Sequence, residues 1–133
     1  MSTWKFPGMA GLAVLIHSVP LFAHHGTAGS YDQNKVVRIN GTVKEFRWRN
    51  PHSALFIDAT DAAGKPLTYV LEMGSPNTLA KRGWTRDIFK AGDSMVMEMH
   101  PSFTNPASGE ALSREIVLNG KTLKAAPAEA AEY

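Results

Sequence analysis

The chain of 133 residues contains no cysteine. Disulfide frameworks, thiolate metal sites and cysteine nucleophiles are thereby excluded, whatever the compartment. An excess of one charge is missing as well. Fourteen Lys and Arg against 12 Asp and Glu leave a formal net charge of +2, too small a surplus for the electrostatic footprint of a dedicated nucleic-acid binder. There is no long hydrophobic run. The one apolar stretch, Met9 to Ile16, falls far short of the roughly 20 residues that a membrane-spanning helix needs. Helix signals are scarce, and no internal repeat is found.

That short apolar stretch does carry a signal of another kind. Lys5 supplies a positive start, Met9 to Ile16 an apolar centre, and Pro20 a break before Ala23, which is the order of a secretory leader. Cleavage after Ala23 would make His24 the mature N-terminus. Leu21 at the −3 position is an imperfect match to the small-x-small rule, whereas Gly26-Thr27-Ala28 matches it better and would remove both His24 and His25. The closeness of Pro20 and of the end of the apolar run favours Ala23. The expectation is a signal peptide over 1–23, export to the periplasm or beyond, and no transmembrane segment after cleavage. What remains is long enough for one domain with a core of its own.

Past a polar arm over 24–35, period-two alternation governs the chain. Val37, Ile39 and Val43 fall on one face of a strand candidate running from Val36 to Trp48, against Arg38, Asn40, Thr42 and Lys44 on the other. Such alternation reads as a half-buried strand, and Gly41 midway marks a bend or bulge. Ser53 to Thr60 and Leu67 to Met73 form a hairpin around the turn Asp61-Ala62-Ala63-Gly64-Lys65-Pro66, placing His52 opposite Glu72 to Gly74. The one helix signal follows. Ser75 caps, Pro76 suits the first helical position and Gly83 can close the end. Trp84 and Phe89 fall in a loop. Ser94 to His100 is a fourth strand, Pro101 to Gly109 a loop, and Ala111 to Leu118 a fifth strand. Asn119-Gly120 turns the chain back through Lys121 to Lys124. The Ala/Pro/Glu tail, 125–133, is expected to be disordered.

Three strands, a short helix and two strands are the element order of an OB-like, five-stranded Greek-key barrel over 36–124. A generic antiparallel sandwich would use the same strands; the helix between strands three and four favours the barrel.

The segments Ala23-His24-His25, Gly41-Thr42-Val43, Trp48-Arg49-Asn50-Pro51-His52, Gly74-Ser75-Pro76-Asn77, Arg82-Gly83-Trp84-Thr85-Arg86 and Gly92-Asp93 resemble a family of small exported bacterial proteins of unknown function. The resemblance spans about 23–120. It implies export and a compact β-barrel, and it carries no activity, ligand or catalytic residue. One departure is local: Gly26-Thr27-Ala28 stands where the family has Ser and an aromatic residue after the histidine pair.

Chemistry concentrates at few positions. A mature N-terminal His24 would offer α-amine and imidazole together, beside His25. Nitrogen ligands of that kind suit Cu(II), which tops the divalent affinity order. His52 or His100 would complete a three-nitrogen site, and Glu72 near His52 could add an oxygen. The bland alternative is a pair of idle polar residues after a cleavage site. The stripe Met95, Met97, Met99 could hold Cu(I), but its alternation favours core packing. Phe46, Arg47, Trp48 and Arg49, and again Lys81, Arg82, Trp84 and Arg86, mix cations with aromatics as single-strand binders do; in an exported, nearly neutral chain a solvated rim with Trp anchors is favoured instead. No Ser carries a motif such as Gly-x-Ser-x-Gly, and Glu72 with Glu98 is only a notional carboxylate pair.

The reading adopted is a non-catalytic binding module. Its ligand residues would be Trp48, Asn50, His52, Glu72, Ser75, Asn77, Trp84 and Arg86, and its partner a small molecule, glycan or envelope protein. The alternative is a copper protein with His24, His25, His52 and His100 as candidate ligands. No cofactor other than copper is indicated.

Overall fold

The computed structural model describes Met1 and residues 29–124. The rest of the expected leader, His24, His25 and the tail over 125–133 lie outside the described residues.

Six strands and one short helix follow in the order β1 (Val37–Arg47), β2 (Ala54–Thr60), β3 (Pro66–Glu72), α1 (Pro76–Lys81), β4 (Ser94–Pro101), β5 (Ser108–Leu118) and β6 (Lys121–Lys124). The sheet order is β3-β2-β1-β4-β5-β6, and a parallel β3–β5 pairing closes the first five strands into a barrel. β6 is an extra strand, paired only with the end of β5. The expected all-β, OB-like barrel with its helix between strands three and four is therefore the architecture found.

β1 is long because it serves two neighbours. Val37 to Thr42 pair with β4, and Thr42 to Arg47 pair with β2. Gly41 lies where the strand passes from one partner to the other. A Cβ there would collide with the Asp58 carbonyl and come within 2.7 Å of the Ile57 side chain. The bend expected at Gly41 is thus a close approach of backbones. The bulge falls three residues later, between Val43 and Glu45. A bulge inserts one unpaired residue and reverses the alternation beyond it. Lys44 and Glu45 are both exposed, and Phe46 and Trp48 pack against the core.

The barrel interior is filled by Ile39, Val43, Leu55, Ile57, Leu71, Met95, Met97, Met99 and Ile116, all nearly or fully inaccessible. The methionine stripe is core packing, its sulfurs shut away from solvent. One end is closed by α1 and the turn that follows it. Ser75 caps the helix, its hydroxyl accepting from the Thr78 amide at 3.2 Å. At the other end Gly83 adopts φ +82°. The Gly83 amide donates to the Ala80 carbonyl and the Trp84 amide to the Leu79 carbonyl, each at 3.0 Å. This is a Schellman cap, and it folds Trp84 back beside Leu79 in the core. Trp84, Phe89 and Phe46 then make an aromatic plug, with Phe46 and Phe89 edge to face at 5.0 Å.

The loop expected over Pro101 to Gly109 is shorter. β4 runs on through Pro101, and β5 begins at Ser108, because Val70, Leu71 and Glu72 recruit Ser108, Gly109 and Glu110 as parallel partners. A side chain at Gly109 would meet the Met99 sulfur at 2.6 Å, so this seam depends on glycine.

Candidate functional site

The β2–β3 ladder continues beyond its last regular pair. The Ser53 amide donates to the Gly74 carbonyl, and the Met73 amide donates to the Ser53 carbonyl. His52 therefore leaves the sheet beside Glu72, as the hairpin count predicts, and its Nδ1 lies 2.7 Å from Glu72 Oε1. The second carboxylate oxygen is also taken: the Tyr31 hydroxyl donates to Glu72 Oε2 at 2.9 Å. The imidazole thus lies against the carboxylate, beside the oxygen that Tyr31 leaves free.

Tyr31 is delivered by the arm that precedes β1. A bridge to Ser102 and an Asp32 amide bond to the Pro101 carbonyl (2.9 Å) hold that arm against the end of β4. Burial, then the hydrogen bond and the negative charge of Glu72, push the Tyr31 phenol up from 10.0 to about 12. The arm reaches a second carboxylate as well, with Gln33 Nε2 donating to Glu110 Oε2 at 3.1 Å. Glu110 stands next to Glu72 through the β3–β5 register.

Two clefts open on either side of His52 and Glu72. One, of about 230 Å³, runs between β3, α1 and β5, with Gly74, Leu79, Arg82, Glu110 and Ser113 among its walls. The other, of about 190 Å³, lies under Tyr31, with Ser53, Val70 and Ser108. The Ser53 hydroxyl is fully buried and finds no partner among the described residues, His52 included.

The expected ligand residues divide sharply. His52 and Glu72 meet. Ser75 borders the first cleft only through its neighbours, since its hydroxyl caps α1. Asn50 and Asn77 are exposed and make no side-chain hydrogen bond among the described residues. Trp48 is half-buried: it packs edge to face on Phe46 at 5.8 Å, turned toward the core by the bulge. Trp84 is 4 % exposed and belongs to the core. Arg86 is exposed and lines neither cleft. Arg47 lies over the Phe56 ring at 4.3 Å and pairs with Glu45, which it holds below the usual carboxylate range. Glu98 does not approach Glu72; it faces Arg38 across the β1–β4 ladder at 3.4 Å.

His100 lies across β4–β5 from Glu110, yet it opens on a separate cleft with Val36, Glu98 and Arg114. Its Nδ1 donates to the Lys35 carbonyl at 2.8 Å. Among the described residues, no three His, Asp or Glu side chains are grouped to hold a metal ion. His24 and His25, the other candidate ligands, lie outside them.

Tyr31, Arg82, Glu110 and Ser113 join the site without having been singled out as its ligands. Tyr31 was the one aromatic in a polar run, a weak signal of an anchor. The other three are brought in by the Gly83 turn and the parallel seam, which leave no local trace.

Fold and surface together define a small OB-type barrel with a polar seat on its β2–β3 side. The chain belongs to a family of unknown function (DUF6152), which matches residues 13–111. Comparison with curated proteins and with solved structures yields no match. No helix among the described residues is long and apolar enough to cross a membrane.

Proposed function

We propose that the chain is an exported, non-catalytic binding module whose ligand seat is the surface around His52 and Glu72. The observation that carries this reading is the double engagement of Glu72. Tyr31 and His52, from separate parts of the chain, are both fixed on one carboxylate at the junction of two clefts. Pre-fixed polar groups beside a concavity are what a binding site requires, and this is the side on which OB barrels seat ligands. A catalytic reading has less support, because Ser53, the hydroxyl next to His52 in sequence, makes no hydrogen bond to it and a nucleophile needs a base within reach. Chemical-shift mapping with envelope glycans and peptides tests the placement. Signals of Gly74, Thr78 and Ser108 are expected to move; movement confined to the β1–β4 face would reject it.

A copper-binding reading has a specific observation behind it. His100 Nδ1 donates to the Lys35 carbonyl and His52 Nδ1 lies against Glu72, so each ring has one nitrogen occupied by an acceptor, as metal-ligating histidines do. His24 precedes the anchored Tyr31 by seven residues, a reach of up to about 25 Å of extended chain. Calorimetry with Cu(II) on protein starting at His24 is expected to give tight binding that an added N-terminal Gly weakens. Equal affinity with and without that Gly would remove the amine from the ligand set.

A further inference from the structure

We propose that the cleft between β3, α1 and β5 takes a small zwitterion of the amino-acid or short-peptide class, Arg82 holding its carboxylate and Glu110 its ammonium group. The proposal rests on the reading of the His52–Glu72 surface as a ligand seat. Opposite charges line this single cleft from different elements without meeting. Among the described residues Arg82 forms no ion pair, and neither does Glu110, whose one polar side-chain partner is the Gln33 amide. Neither charge is spent on an ion pair among the described residues, and a gap separates them. Arg82 is fixed by the Schellman turn and Glu110 by the parallel seam. A molecule bearing both charges would span that gap.

Glu72 lines the same cleft with one site on each oxygen already facing Tyr31 and His52, so its charge adds to that of Glu110 at the end where the ammonium group would sit. The guanidinium fork matches a carboxylate in two parallel hydrogen bonds. Between the two charges the cleft is walled by Leu79, Met73 and Ala111, so a short carbon skeleton would meet hydrocarbon. The volume of about 230 Å³ suits a body of this size. A molecule with a single charge would satisfy only one of the two ends.

The test is a titration of the isotopically labelled full chain with L-alanine and with Gly-Gly, using acetate and ethylammonium as single-charge controls. The zwitterions are expected to move the amide signals of Gly74, Thr78 and Ala111 saturably, with each control binding about tenfold more weakly or worse. Arg82→Met and Glu110→Gln should each weaken zwitterion binding by about tenfold or more, the loss of one charge-assisted contact. Unchanged signals elsewhere report that both variants stay folded. Acetate or ethylammonium matching the zwitterions, or full affinity in both variants, would overturn the assignment. If the zwitterions leave these signals unmoved while a glycan moves them, this inference falls and the seat stands. If every probe moves only the β1–β4 face, both fall.

Discussion

Both carboxylate oxygens of Glu72 are approached by side chains far away in sequence, and the Tyr31 phenol registers its burial there first and the carboxylate second. Its pKa is raised, to about 12 from 10.0, so the folded chain resists ionisation that the unfolded chain permits. The contribution of this group to stability is whole below pH 10 and is lost as pH rises toward 12. Wild type and Tyr31→Phe should therefore differ by a constant amount in melting temperature below that window and converge across it. Parallel curves through the window would show that Tyr31 is not held as described. Gly41 makes the opposite kind of demand, for space. With the Ile57 side chain at 2.7 Å from any added Cβ, Gly41→Ala is expected to cost about 1–3 kcal/mol in urea unfolding, the range for overpacking a filled interior.

At the scale of elements, the Asn119-Gly120 hairpin shows how much one turn can fasten. Both residues have positive φ, 50° and 77°, as the turn type demands. Asn119 also accepts from the Ser94 amide at 2.9 Å and donates to Asp93 at 2.8 Å. That bond, with the Lys90 amide second, holds the Asp93 carboxyl below its usual range. Asn119→Ala loses both bonds and replaces a residue that tolerates left-handed backbone with one that does not, so a loss of about 1–2 kcal/mol is expected. Asn119→Gly should lose less, and equal losses would show that backbone strain plays no part. The turn and the Ser75 cap were legible because their causes are local, and the strands were legible from alternation. The bulge at Lys44 was not. One inserted residue reverses every side chain after it, and this is why Trp48, read as a rim residue, is found half-buried against the core. The β3–β5 seam was hidden for a different reason: parallel pairing joins segments almost forty positions apart, so nothing near Glu110 announces Glu72.

For the molecule as a whole, the copper reading turns on where the chain would begin after the proposed export. Intact mass of protein recovered from the periplasm is expected to correspond to a start at His24. A start at Gly29 would delete His24 and His25 and end that reading, while leaving Tyr31 and the clefts in place. The zwitterion assignment is independent of that result.

The ring of five strands is joined with unequal lengths of seam. β2 and β3 match over seven residue pairs, whereas β3 and β5 match over three. Breathing should start at the shorter join, with the Val70 amide, which donates across it to the Ala107 carbonyl, exchanging hydrogen for deuterium before those of Ile57 and Met97. The proposed guest would rest across that same join, touching both lips. Occupancy would then slow exchange there first, so the loosest stitch in the barrel doubles as its gauge of whether anything is bound.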